Sequence, residues 1–188
     1  AADFIATGPK DPNKLYRNDN ASGTFTDISV SAGINDSLIG RGSAYGDYDN
    51  DGDLDLMSII VTDQIFYFPG SYSKLYRNEN SSSNWLAMRL EGTLSNKDAY
   101  GAQVELYTNG RTFIREVSGG CSHASQNSTQ VHFGLGTYNS VDSIIIKWPS
   151  GIEETYNNLS ANQHYYYVEG TSAYVWQYSS DSLCSFGA

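Results

Sequence analysis

The sequence is poor in cysteine, proline and positive charge. It has two cysteines, four prolines and 11 Lys and Arg against 21 Asp and Glu among 188 residues. Two cysteines rule out a disulfide-dense scaffold and a four-cysteine zinc site. None of the three histidines, His123, His132 and His164, has a partner histidine at zinc spacing. A net charge of −10 repels phosphate backbones and anionic lipid, which speaks against nucleic acid and membrane surfaces as partners. No apolar run approaches the ~18 residues needed to cross a bilayer, so no membrane insertion is expected. The longest, Ser143-Ile144-Ile145-Ile146-Lys147-Trp148, is strand-sized. Gly40-Arg41-Gly42-Ser43 lacks the Lys-Ser/Thr ending and following helix of a phosphate loop.

Amphipathic helical periods of useful length are also missing. What is present is 39% hydrophobic residues, 13% aromatics with Tyr far ahead of Phe and Trp, and 18 glycines. That mixture suits many short strands joined by Gly and Ser turns, an all-β chain. Strands are expected over 85–90, 102–107, 112–117, 130–133, 143–148, 153–156 and 165–169. The second and third flank Thr108-Asn109-Gly110-Arg111, whose Asn-Gly pair is the strongest short-range hairpin signal.

One stretch carries chemistry: Asp47-Tyr48-Asp49-Asn50-Asp51-Gly52-Asp53-Leu54-Asp55. Five carboxylates alternate through nine residues. At ~6 Å in water each neighbouring pair repels by roughly 0.7 kcal/mol, and by more where the dielectric is lower. Side-chain oxygens of Asp47, Asp49, Asp51 and Asp55, with the backbone carbonyl of Asp53, suit Ca2+, which takes about 6–8 oxygens. Gly52 supplies the sharp turn. The plainer alternative is a solvated acidic turn. An EF-hand is excluded because position 12 is Ser58, not Glu, and Leu56-Met57-Ser58-Ile59-Ile60-Val61 reads as a buried strand instead of a helix. This strand-feeding form resembles the calcium loop of FG-GAP/VCBS repeats, the blade-like units of integrin-type propellers. The preceding Gly42-Ser43-Ala44-Tyr45-Gly46 strengthens the resemblance.

Lys14-Leu15-Tyr16-Arg17-Asn18-Asp19-Asn20 recurs as Lys74-Leu75-Tyr76-Arg77-Asn78-Glu79-Asn80, with the acidic loop between the copies. Such an echo marks repeated sheet modules. Further on, Asn84-Trp85-Leu86, Gly101-Ala102-Gln103-Val104, Arg115-Glu116-Val117-Ser118-Gly119-Gly120, Val131-His132-Phe133-Gly134-Leu135-Gly136 and Lys147-Trp148-Pro149-Ser150-Gly151 follow one another in the order seen in ASPIC/UnbV domains, and the resemblance is to that family. It implies secreted or matrix settings and no agreed catalytic residues. Cys121-Ser122-His123 departs from its usual glycine and aromatic residues. The expected organisation is an extended arm over 1–10, a blade-like antiparallel calcium-binding unit over 11–83, an ASPIC/UnbV-like sandwich or barrel-like domain over 84–170 on which that unit packs, and a tail over 171–188.

The start at Ala1-Ala2-Asp3 reads as a mature end left by a signal peptidase, and the chain is expected to be secreted or at the cell surface. Sequons at Asn20, Asn35, Asn80, Asn127 and Asn158 fit a glycoprotein. In that setting Cys121 and Cys184 pair most simply as a disulfide. Cys121 beside His123 is the right chemistry for acyl transfer, but no third orienting group is identifiable, and no catalytic residue is assigned. His132 and His164 read as hydrogen-bonded structural residues. Tyr165-Tyr166-Tyr167 and Tyr174-Val175-Trp176-Gln177-Tyr178 read as packing residues, with a sugar platform or self-association face as alternatives. The expected function is non-catalytic: a Ca2+-stabilised extracellular structural or adhesive protein. Its arm, Ala2-Asp3-Phe4-Ile5-Ala6-Thr7, could be given to a neighbouring copy to build a homo-oligomer or fibre. The alternatives are a module that binds glycans or other extracellular proteins, and an accessory domain of a secreted enzyme.

Overall fold

The computed structural model describes residues 2–5, 12–19, 23–35, 39–61, 72–79, 82–120, 125–171 and 174–176. Within them every regular element is a β-strand, as the composition implies. The chain divides into two units, one of residues 1–79 with 120–128, the other of 80–119 with 129–188.

The first unit holds two three-stranded antiparallel sheets. In one, β2 (Lys14–Asn18) lies between β1 (Ala2–Ile5) and β3 (Phe25–Asp27). The residues expected as a donated arm are thus paired in the same chain, Ala2 opposite Arg17 through Ile5 opposite Lys14. One edge of Ala2–Ile5 is thus occupied by β2 of the same chain, which competes with giving that segment to a neighbouring copy, while Ala6 and Thr7 lie outside the described residues. In the other sheet β5 (Asp55–Val61) lies between β4 (Ile39–Gly46) and β6 (Tyr72–Tyr76). Gly40-Arg41-Gly42, dismissed as a phosphate loop, is the bulge at which the β4–β5 register shifts. Both copies of the Lys-Leu-Tyr-Arg-Asn echo begin in strands, β2 and β6.

The second unit is a sandwich of two four-stranded sheets. Strands β7 (Asn84–Glu91), β10 (Val131–Gly136), β13 (Gln163–Val168) and β14 (Tyr174–Trp176) form one, in the order β10-β7-β13-β14. Strands β8 (Gln103–Thr108), β9 (Arg111–Glu116), β11 (Ser140–Lys147) and β12 (Glu153–Ser160) form the other, in the order β12-β11-β8-β9. The expected hairpin is β8–β9, and Asn109 (φ 46°) and Gly110 (φ 72°) give the two-residue turn whose twist matches its strands. Alternation sends Val104 and Leu106 of β8, Leu86 and Met88 of β7, Phe133 of β10 and Ile144 and Ile146 of β11 into one shared core, all fully buried. Burying each such side chain stabilises the fold by about 1.5–3 kcal/mol. Tyr165 and Tyr167 belong to this core while Tyr166 points away and donates to Glu91, so two of the three tyrosines are packing residues. Two features were not legible in the chain. Strand β13 runs parallel to β7, and β14 adds to the sheet from residues expected to be tail.

One polar group is built into this unit. Glu169, 1% exposed, follows β13 and accepts the backbone N–H groups of Thr93, Leu94 and Ser95 on Oε2 at 2.8, 2.8 and 2.7 Å. The hydroxyls of Ser95 and Ser150 donate to its Oε1. Burial alone pushes the carboxyl up, but the hydrogen bonds from Ser150, Ser95 and Thr93 outweigh it and hold the group at about 2, below its ordinary 4.5. A depressed carboxyl stabilises the fold above its ordinary value and loses that contribution as pH falls towards the depressed one. Glu169→Gln should therefore cost about 2 kcal/mol at pH 7. In urea titrations its deficit against the unmodified chain should close between about pH 4.5 and 2. A deficit that stays constant with pH would show that the charge of Glu169 is not what the cradle holds.

Candidate metal centre

Gly46 of β4 faces Asp55 of β5 in the last pair of their ladder, so the acidic stretch is the connection of a β-hairpin. Its backbone turns through two left-handed residues, Asn50 (φ 60°) and Gly52 (φ 94°). Asn tolerates that region and Gly enters it without strain. The carboxylates shape the turn as they crowd. Asp47 accepts the amides of Asp51 on Oδ1 at 3.1 Å and of Gly52 on Oδ2 at 3.0 Å, and Asp51 Oδ1 accepts the amide of Asp53 at 2.9 Å.

Asp55 is the anchor. It is 2% exposed, and its two oxygens accept the amides of Tyr48 at 3.2 Å and of Asn78 at 2.8 Å. Those amides belong to the start of the loop and to the residues that follow β6. One carboxylate therefore ties the loop to both neighbouring strands. Asn78 adds a side-chain hydrogen bond to Leu54 O at 3.4 Å.

Of the five expected ligands, Asp47, Asp49 and Asp55 are brought together, with one oxygen of each inside a 4.8 Å cluster. The carboxylates of Asp51 and Asp53 lie outside that group, and Asp53 is expected through its backbone carbonyl instead. Asp51 faces Arg77, whose Nη2 is 3.4 Å from its Oδ2. Both oxygens of Asp49 and Oδ2 of Asp53 are buried without a hydrogen-bond partner. Arg77 Nε lies 2.9 Å from Asp49 Oδ2 as an ion pair, without the alignment of a hydrogen bond. Burial pushes the Asp47 carboxyl up to about 6, and burial followed by the charges of Asp51, Asp55 and Asp49 pushes Asp53 up. Oxygens left without donors among like charges fit a hard divalent cation.

Sequence reasoning missed the residues that close the loop from outside, Arg77 and Asn78. The signal was the repeated Lys-Leu-Tyr-Arg-Asn, whose second copy ends against the acidic turn. It also missed Ser125, Asn127 and Ser128, which line β4. Ser43 N donates to Ser125 Oγ at 3.0 Å, Tyr45 N to Asn127 Oδ1 at 3.1 Å, and Ser128 N to Tyr45 O at 3.1 Å. Beside the loop this leaves an open depression of about 480 Å³ lined by Tyr45, Met57, Leu75, Gln126 and Asn127 among others.

The sequon residues Asn35 and Asn158 are exposed, and Asn127 is half-buried with its Oδ1 engaged on β4. Asn20, Asn80, Cys121, Ser122, His123 and Cys184 lie outside the described residues. His164 is buried with Nδ1 3.0 Å from Gln130 Nε2, and its ring lies 4.6 Å from that of Trp85. His132 stacks on the same Trp85 at 6.2 Å.

Residues 1–58 match the model of the FG-GAP-like repeat, and residues 92–173 match that of ASPIC and UnbV. Over 113 residues, 60% of its length, the chain is 33% identical to cartilage acidic protein 1 of Mus musculus. It is 33% identical to that of Xenopus tropicalis and 32% to that of Homo sapiens over the same length. The match spans 17% of the mouse protein and 16% of each of the others. These likenesses suggest an extracellular β-domain protein.

Two substitutions separate the roles of the loop carboxylates in chelator. Asp55→Asn should destabilise by about 2 kcal/mol, since it removes the charge that two backbone amides serve. Asp53→Asn should leave stability unchanged or raise it by about 0.5 kcal/mol, since its buried oxygen has no donor to lose. Urea unfolding measures both, and equal losses would contradict the division.

Proposed function

For a chain that carries an FG-GAP-like repeat over residues 1–58 followed by an ASPIC/UnbV domain over 92–173, we propose a non-catalytic, Ca2+-stabilised extracellular role, structural or adhesive. The observation that carries it is the loop in which Asp47, Asp49 and Asp55 converge while the oxygens of Asp49 stay without hydrogen-bond donors. Asp47, Asp49 and Asp55 would hold the ion. A bound Ca2+ would supply the positive charge that lets the carboxylates stay crowded at the mouth of the β4–β5 hairpin. Asp47 and Asp55 are tied to backbone amides, which suits a clamp better than acid–base work. Extracellular calcium, at millimolar level, would keep such a loop filled. The relatives are acidic by name and this chain has a net charge of −10, which agrees with a calcium-rich matrix setting.

The open depression beside the loop favours a second reading, a module that binds an extracellular protein or glycan. Its wall mixes Met57 and Leu75 with the amides of Gln126 and Asn127, as recognition surfaces do. Among the described residues no strand pairs with the outer edges of β1 and β3, and these are the remaining route to self-association.

Thermal unfolding of the full chain tests the calcium reading. Millimolar CaCl2 should raise the midpoint over that in chelator by about 4–10 °C, with MgCl2 giving less. Identical midpoints in CaCl2 and in chelator would contradict it. Sedimentation and glycan-array binding in the same two buffers separate the structural reading from the recognition reading.

A further inference from the structure

Arg77 leaves the end of β6 one residue past the pair Leu56–Tyr76, which puts it opposite the start of β5 and at the mouth of the acidic loop. The next residue is locked there, because Asn78 N donates to Asp55. The guanidinium is consequently aimed at the loop and meets three carboxylates. Its Nε lies 2.9 Å from Asp49 Oδ2 and 3.5 Å from Glu79 Oε1, and its Nη2 lies 3.4 Å from Asp51 Oδ2. Asp49 is also one of the three residues that converge as metal ligands. The same carboxylate thus has two claimants, an internal cation and an external one.

The internal echo supplies a comparison inside the molecule. Arg17, at the matching place of the first copy, has its Nε 2.7 Å from Asp19 Oδ1, a carboxylate two residues away. Arg77 has the matching acid in Glu79, yet lies closer to Asp49. Its side chain is 49% exposed, so its pull on Asp49 is partly screened by water, but its charge stays beside the loop whether it pairs with Asp49 or Glu79.

We propose that Arg77 is the built-in counter-cation of the acidic loop: it holds the carboxylates of the ion-free chain in place and opposes a divalent ion that draws on Asp49, lowering the affinity of the loop for Ca2+. This rests on the calcium reading and deepens it. A guanidinium cannot be shed by titration at physiological pH, so the opposition is constant. A unit positive charge a few ångströms from a divalent ion, partly screened by salt, weakens its binding by about three- to tenfold.

Isothermal titration of the full 188-residue chain with CaCl2 tests the idea, together with thermal unfolding in chelator. Arg77→Gln should bind Ca2+ about three- to tenfold more tightly than the unmodified chain. In chelator it should melt about 2–4 °C lower, because the carboxylates lose their only neighbouring guanidinium among the described contacts. Arg77→Lys, which keeps the charge, and Arg17→Gln, which pairs elsewhere, should each stay within about twofold of the unmodified affinity. Equal or weaker binding by Arg77→Gln would overturn the proposal, as would an undiminished melting point in chelator. An unmodified chain that takes up no Ca2+ would remove the calcium reading and this proposal with it.

Discussion

The buried carboxylate of Asp55 is the joint on which the first unit turns. It begins β5, and its oxygens accept one amide from the loop it closes and one from the chain beyond β6. A hairpin connection of eight residues has no hydrophobic core to hold its shape. A charged acceptor that is 2% exposed supplies that shape by fixing three segments at once. The other acids are then forced into company. Asp47 is held by the turn it caps, and an oxygen of Asp49 lies within 4.8 Å of its carboxylate.

The second unit shows the same chemistry brought to the opposite electrostatic outcome. Glu169 is as buried as Asp55, but three consecutive amides and two hydroxyls satisfy it, and its carboxyl is held down at about 2. Asp47, among Asp49 and Asp51, is pushed up to about 6 by burial that its amides do not offset. A carboxylate saturated by donors gains nothing from a cation, whereas one that burial lifts, with like charges beside it, would gain from one. That contrast within one molecule is the reason the proposed Ca2+ is placed at the loop and not at the Glu169 cradle. It also gives the acidic composition a local meaning: several of the 21 acids act as acceptors for backbone amides.

Much of this was legible in the chain because it is local. Alternation identified β8 and β9, a strand-sized apolar run identified β11, Asn109-Gly110 identified the turn, and the spacing of aspartates identified the loop. The family pairing was readable from motif order and matches the comparisons. What was not legible is long-range. The parallel pairing of β13 with β7 joins residues more than seventy positions apart, and nothing in either strand names its partner. Residues 125–128 line β4 through Ser and Asn side chains, which carry no period. The bulge at Gly40 and Gly42 hid β4 because glycines read as loop, although a bulged strand is where they are tolerated. Asp51 illustrates a finer limit. Its place in the spacing suggests a ligand, but its carboxylate lies outside the cluster and faces Arg77, which follows β6.

The central claim is that the convergence of Asp47, Asp49 and Asp55 exists to hold a divalent cation. The most direct measurement is long-wavelength X-ray diffraction from crystals grown in CaCl2, read as an anomalous difference map. The account predicts a calcium peak bounded by oxygens of those three aspartates. A clear map of the loop with no anomalous peak there would contradict it.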